Sequence, residues 1–185
     1  MSPFPLYGVN TFNRYVGIGL SSMSPAAVVL TDMGHVLPLL EANILLNCAL
    51  SHDREVRTTL AEGFTVEPYE WGAHSPQWKT VDAGRFDVIL ASDVVYDPVG
   101  YEPLVLTLTD LLTAANGEYQ SVCILAHRHR HPEDERFFRL LREVQGAIVE
   151  EIDFSINSIQ DCSTDRPQSE ELLDVKLFKI RIELP

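Results

Sequence analysis

The sequence predicts an α/β protein: a doubly wound, mostly parallel sheet with helices on both faces. Short apolar runs with abrupt polar stops, such as Val88-Ile89-Leu90-Ala91 before Ser92-Asp93, read as buried parallel strands. Those runs alternate along the chain with leucine-rich stretches of helical length, the order that builds such a sheet. The 185 residues, 45% apolar and 22% charged, suit a single domain over 1–185 with a proper core.

In chain order, residues 1–8 carry Pro3 and Pro5 and offer no convincing strand, so the central first strand is expected to be missing or degenerate over residues 1–12. Gly17 and Gly19 read as a helix start. Ala27 to Leu30 is a β-rich pulse closed by Thr31-Asp32. From about His35 to Leu50, apolar positions at 36, 39, 40, 44, 46 and 50 suit a helix largely covered by neighbours. Phe64 to Tyr69 is the next extended pulse and runs into Glu70-Trp71-Gly72. Residues 73–85 are polar and read as a loop.

Residues 86–92 form the apolar strand described above. Tyr101 to Ala115 is periodic in leucine and stops at Asn116-Gly117. Ser121 to Ala126 is another buried-strand run. Pro132 opens a helix with acids in its first turn and bases later. Ile148 to Phe154 and Val175 to Ile182 alternate as strands around a polar loop, and the last of them is expected to insert antiparallel.

Fourteen basic against 27 acidic residues leave a formal net charge of −13, which argues against binding phosphate backbones and favours partners with basic surfaces. Cys48, Cys123 and Cys162 are widely spaced and form no CxxC, which suits a reducing cytoplasmic or nuclear setting. No apolar run reaches membrane-spanning length, and the first residues carry no signal-peptide pattern.

Chemistry is expected where strands end, because open α/β sheets keep their ligands at the carboxyl edge. Asp32 ends the second strand of such a sheet, where an acid accepts hydrogen bonds from ribose hydroxyls; its alternative role is to cap the following helix. Trp71 can cover an adenine ring or pack in the core. Asp93 and Tyr96 present an acid and a phenol just past a strand end, before the breaker Asp97-Pro98. His127, His129 and His131 alternate on one face of a strand end. Neither a cysteine nor a well-placed acid completes a ligand set in the sequence, so no metal is expected, and strand-end polar contacts and capping of the helix from Pro132 are the expected roles.

Val28-Val29-Leu30-Thr31-Asp32, VLPLLEANILLN from Val36 to Asn47, Glu70-Trp71-Gly72 and Ser92-Asp93-Val94-Val95-Tyr96 together resemble a known family. It is that of the seven-strand, class I S-adenosylmethionine-dependent methyltransferases with a Rossmann-like sheet, specifically the methyltransferase-21-like and 23-like group of protein lysine methyltransferases. LAHRHR, the Phe137-Phe138 pair and VKLFKIRI extend the likeness. The resemblance implies that Asp32 holds the ribose of S-adenosylmethionine, that Trp71 and Ser92 line its pocket, and that Asp93 and Tyr96 face a target lysine amine on a protein substrate.

The pattern departs from the family at the amino-terminal end. Tyr15-Val16-Gly17-Ile18 matches the tail of the family's glycine-rich motif, yet its three glycine positions fall on Asn10, Phe12 and Arg14, and its acid on Gly8. Side chains there would obstruct the close backbone approach of a cofactor turn. Two accounts follow: an enzyme whose amino-terminal part was lost or replaced, or a degenerate relative. The expected activity is methyl transfer to a protein lysine, and the alternative is a non-catalytic, methyltransferase-like protein-binding module.

Overall fold

The structure, a computed structural model, describes residues 5–10, 27–52, 62–72, 86–113, 120–153 and 175–183, with the backbone alone for 5–10 and Ala27. Seven strands form one sheet: β1 (Pro5–Asn10), β2 (Ala27–Asp32), β3 (Phe64–Pro68), β4 (Val88–Ser92), β5 (Val122–Arg128), β6 (Ala147–Ile152) and β7 (Val175–Ile182). Their order is β3-β2-β1-β4-β5-β7-β6. The first five are parallel, while β7 inserts antiparallel between β5 and β6, as its position after a long polar loop suggested.

One expectation is corrected. Residues 5–10 do form the central first strand, paired in parallel with β2 on one side (Tyr7 opposite Val29) and β4 on the other (Tyr7 opposite Ile89). Pro5 is its first residue, where a missing N–H interrupts the ladder least, and Leu6, Tyr7 and Val9 favour extended backbone. The helix expected at Gly17 and Gly19, Phe12 and Arg14, and the loop over 73–85 lie outside the described residues.

Among the described residues, three helices flank the sheet: α1 (Leu37–Leu50), α2 (Tyr101–Thr113) and α3 (Asp134–Glu143). The parallel strands β2 and β4 are apolar on both faces because helices lie on both faces. In β2, Val29 joins the large core beneath α2 and α3, while its neighbours Val28 and Leu30 pack with Leu40 of α1 on the other side. Tyr101, Leu104, Leu108 and Leu111 form the buried stripe of α2, and Phe137, Phe138 and Leu141 that of α3.

The two faces differ in depth. α1 buries only Leu40, and Leu39, Leu45, Leu46 and Leu50 remain exposed, so the expectation of a helix largely covered by neighbours is not met. Apolar residues fall all around α1, and only the stripe of Leu37, Leu40 and Ile44 meets the sheet.

Candidate active site

The carboxyl ends of β2, β3 and β4 lie along one edge of the sheet, which gathers residues far apart in the chain. Beyond β3 the ladder continues for one more bond, from the Tyr69 N–H to the Asp32 carbonyl at 2.9 Å. The turn after it is tied to α2: the Gly72 N–H donates to Thr107 Oγ1 at 2.9 Å, with Gly72 at φ +79°, a conformation glycine adopts without penalty. This fastening sets Trp71 over the edge. Its indole lies against Gly100, which ends a one-turn 3-10 helix (Pro98–Gly100), and tilts toward the Tyr96 ring at 6.3 Å between centroids. Asp97 shapes that short helix by accepting the Val99 N–H at 3.0 Å.

Between these parts lies a cavity of about 340 Å³, with Asp32, Met33, Trp71, Tyr96, Val99 and Pro103 among its walls. Asp32 is 4% exposed. Its Oδ1 accepts the Met33 N–H at 2.7 Å, but its Oδ2 is buried and finds no partner among the described residues. Burial pushes its pKa up, against the opposing pull of that hydrogen bond and of His35. The helix-capping alternative does not hold: the N-cap of α1 is Val36, with no side-chain cap. A buried acceptor left unpaired costs about 1 to 3 kcal/mol, so this wall of the cavity suits a ligand that brings hydroxyl donors.

Ser92 ends β4 at the same edge, in register with Asn10 and Ala126, and Asp93 follows it. Neither is among the described residues that wall the cavity. Asp93 sits at φ +61°, left-handed backbone that acids tolerate better than most residues. That turn sends its carboxylate to the Arg130 guanidinium, an ion pair between half-exposed side chains. Burial, then the charges of Asp97, Asp32 and Asp93, raise the Tyr96 pKa, so its phenol stays neutral.

The five predicted site residues therefore share one edge, with Asp32, Trp71 and Tyr96 around the cavity and Ser92 and Asp93 beside it. Sequence reasoning missed Met33, Val99 and Pro103 as cavity walls. Met33 and Val99 are signalled only by adjacency to Asp32 and to the Asp97-Pro98 breaker, and Pro103, in the first turn of α2, by nothing in the sequence.

A second cluster stands next to this edge. Asp134, 1% exposed at the start of α3, accepts the Tyr101 hydroxyl at 2.8 Å on Oδ1 and the Arg130 and His131 N–H groups at 2.9 and 3.1 Å on Oδ2. Burial works to raise its pKa, but these donors and His127 prevail and lower it. His127 Nε2 and His129 Nδ1 approach the same Oδ2 at 3.6 and 3.7 Å. Burial is the main cause that holds the His127 pKa below its usual value.

A family described as lysine methyltransferase matches residues 15–144. The chain belongs to this lysine methyltransferase family. It is 30% identical over 128 residues to the protein-lysine N-methyltransferase EFM6 of Saccharomyces cerevisiae, covering 69% of this chain and 48% of that protein. The chain thus spans about half the length of this curated relative. The fold is similar to the glycopeptide N-methyltransferase MtfA in complex with S-adenosylmethionine, at a TM-score of 0.62 and 12% identity over 97% of this chain and 87% of that one. It is also similar to the N-methyltransferase NodS from Bradyrhizobium japonicum WM9, at a TM-score of 0.56 and 12% identity over 98% and 87% of the two chains. The architecture is that of class I S-adenosylmethionine-dependent methyltransferases, with a mixed, Rossmann-like sheet.

Among the described residues, no helix is long and apolar enough to cross a membrane.

Proposed function

We propose that the chain binds S-adenosylmethionine in the cavity between Asp32, Trp71 and Tyr96 and transfers a methyl group to a lysine side chain of a protein substrate. The observation that carries this reading is the buried Asp32 carboxylate, with one oxygen unpaired, in the wall of a cavity roofed by an indole. A ribose diol supplies the missing donors to Asp32, and Trp71 offers a flat face to adenine. Ser92, at the end of β4, extends this cofactor surface. S-adenosylmethionine contributes an electrophilic methyl group on a sulfonium, and the chain contributes positioning.

The amine must attack uncharged, and holding a lysine neutral at pH 7 from its ordinary value of about 10.4 costs about 4 to 5 kcal/mol. An isolated carboxylate beside that amine would raise the cost. Asp93 is paired with Arg130, which offsets its charge, so its role is to orient the amine rather than to hold it protonated. Tyr96, kept neutral, offers a hydroxyl or a ring face without adding negative charge. The net charge of −13 suits a substrate with a basic, lysine-bearing surface, in a cytoplasmic or nuclear setting.

Calorimetry with S-adenosylmethionine and S-adenosylhomocysteine tests the first half of the reading. Transfer of tritium from methyl-labelled cofactor into protein-bound methyllysine tests the second. A second reading, a non-catalytic protein-binding module, is favoured by Asn10, which ends β1 beside Ser92 where the family carries a glycine. Binding of neither ligand, by this chain or by one extended upstream, would select that reading.

A further inference from the structure

No spacing in the sequence marks a ligand set around the histidines at the end of β5, and the fold brings an acid to them. His127 is the last residue but one of β5 and His129 follows just past its end, with the two rings 6.3 Å apart between centroids. Asp134, on the first turn of α3, comes in from below. One ligand atom of each residue lies within 4.8 Å of the other two. The distances from His127 Nε2 and His129 Nδ1 to Asp134 Oδ2, 3.6 and 3.7 Å, are too long for hydrogen bonds. They are close to the spacing of two atoms bound to one tetrahedral ion at about 2.0 to 2.1 Å, roughly 3.3 to 3.4 Å.

A second, independent observation points to a ligand. His127 is 4% exposed, and its Nε2 is buried with no hydrogen-bond partner among the described residues. The surroundings also suit a cation. Arg130 and Asp93 offset each other, which leaves the charge of Asp134 to attract one. Tyr101 and the two main-chain N–H groups hold the Asp134 carboxylate in place, the outer-shell support that fixes a metal ligand. The Phe138 ring, 5.3 Å from His127 between centroids, walls the inner side. His129 is 54% exposed, so the remaining coordination position opens to water.

We propose that His127 Nε2, His129 Nδ1 and Asp134 Oδ2 form a three-ligand site for a divalent transition-metal ion, with zinc preferred over magnesium or calcium. Two imidazoles and one carboxylate are the donor set that selects zinc from the oxygen-seeking cations. His131 is not a ligand, because its Nδ1 accepts the Glu133 N–H at 3.2 Å. The site is independent of the cofactor reading and stands or falls without it.

The full chain, stripped with a chelator, is titrated with Zn²⁺ by calorimetry and with Co²⁺ by visible absorption. One zinc per chain is expected, together with the intense cobalt bands of four-coordination and no heat from Mg²⁺. His129→Ala, a change at a half-exposed side chain, should weaken zinc by at least about tenfold. His127→Gln should abolish binding, and the His129 variant decides the question if that buried change prevents folding. His131→Ala should leave the affinity unchanged. Absence of zinc binding by the unaltered chain, or equal zinc affinity in His129→Ala, would overturn the site.

Discussion

The sheet's carboxyl edge has two neighbouring parts built on opposite plans. At the ends of β2 and β3, polar groups face a cavity and one carboxylate oxygen of Asp32 is left unpaired. At the end of β5, the Asp134 carboxylate is crowded by donors from Tyr101, Arg130 and His131. An edge that leaves acceptors unpaired is less stable than it could be, and such a cost is typical of a binding surface. Where an acid is held by three donors it is fixed in place, and here it anchors the loop that carries Arg130 to Asp93 and keeps its carboxylate close to His127 and His129. The contrast separates residues whose loss should be felt in binding from those whose loss should be felt in folding.

The largest expected effect lies where the two parts meet. Asp93→Asn keeps the shape of the side chain but removes its charge and its pairing with Arg130. If Asp93 orients the amine, turnover should fall by about 100-fold or more while S-adenosylmethionine affinity stays within a factor of about two. Full activity in that variant would remove Asp93 from the site.

Tyr101→Phe tests the saturated part. It deletes one hydrogen bond to a buried charge, so unfolding free energy should fall by about 1.5 to 3 kcal/mol in denaturant titrations, with cofactor affinity unchanged. Asp32→Ala should do the reverse. It should weaken S-adenosylmethionine by about 1 to 3 kcal/mol, and excess cofactor should restore turnover. A variant of Asp93 should not respond to excess cofactor. If Asp32→Ala costs as much stability as Tyr101→Phe and no affinity, the distinction between the two parts fails.

A smaller effect follows from the raised pKa of Asp32. A carboxyl whose folded pKa lies above its unfolded value of about 3.9 binds protons more readily in the folded chain, so it lowers stability as pH rises through that window. Asp32→Asn should therefore equal or exceed the unaltered chain in melting temperature at pH 7, and the gain should vanish below about pH 4. A variant less stable at pH 7 than at pH 4, relative to the unaltered chain, would show that Asp32 is a structural anchor.

Much of this arrangement is legible in the sequence because parallel strands covered on both faces must be apolar runs, and their polar stops mark the functional edge. The stops at Asp32 and Ser92-Asp93 are of this kind. Strand β1 escapes such a reading because Pro3 and Pro5 look like breakers, although a proline costs a strand little at its first residue. The exposure of α1 is hidden for a different reason: an all-round apolar helix gives no sign of how many neighbours it will have. In the sequence Asp134 is an acid suited to a helix start, and it does occupy one. That it also comes within 4 Å of two histidines depends on how α3 packs against β5, which no spacing in the chain records.

The smallest expected effect decides whether Trp71 belongs to the ligand or to the core. Gly100 has backbone that any residue can adopt, but a methyl group there would meet the Trp71 ring at 3.2 and 3.4 Å. Gly100→Ala should slightly stabilise the chain by restricting its unfolded state, by about 0.4 to 1 kcal/mol, less what it costs to move the indole by a few tenths of an ångström. If Trp71 is a platform at the rim of the cavity, it can give way: melting temperature should hold or rise, and S-adenosylmethionine affinity should fall by a few-fold. If the indole is fixed core packing, the same methyl group should lower the melting temperature and leave affinity alone. Thermal unfolding and calorimetry on this one variant therefore discriminate between the two, and the second outcome would move Trp71 from the binding part of the edge to the scaffold.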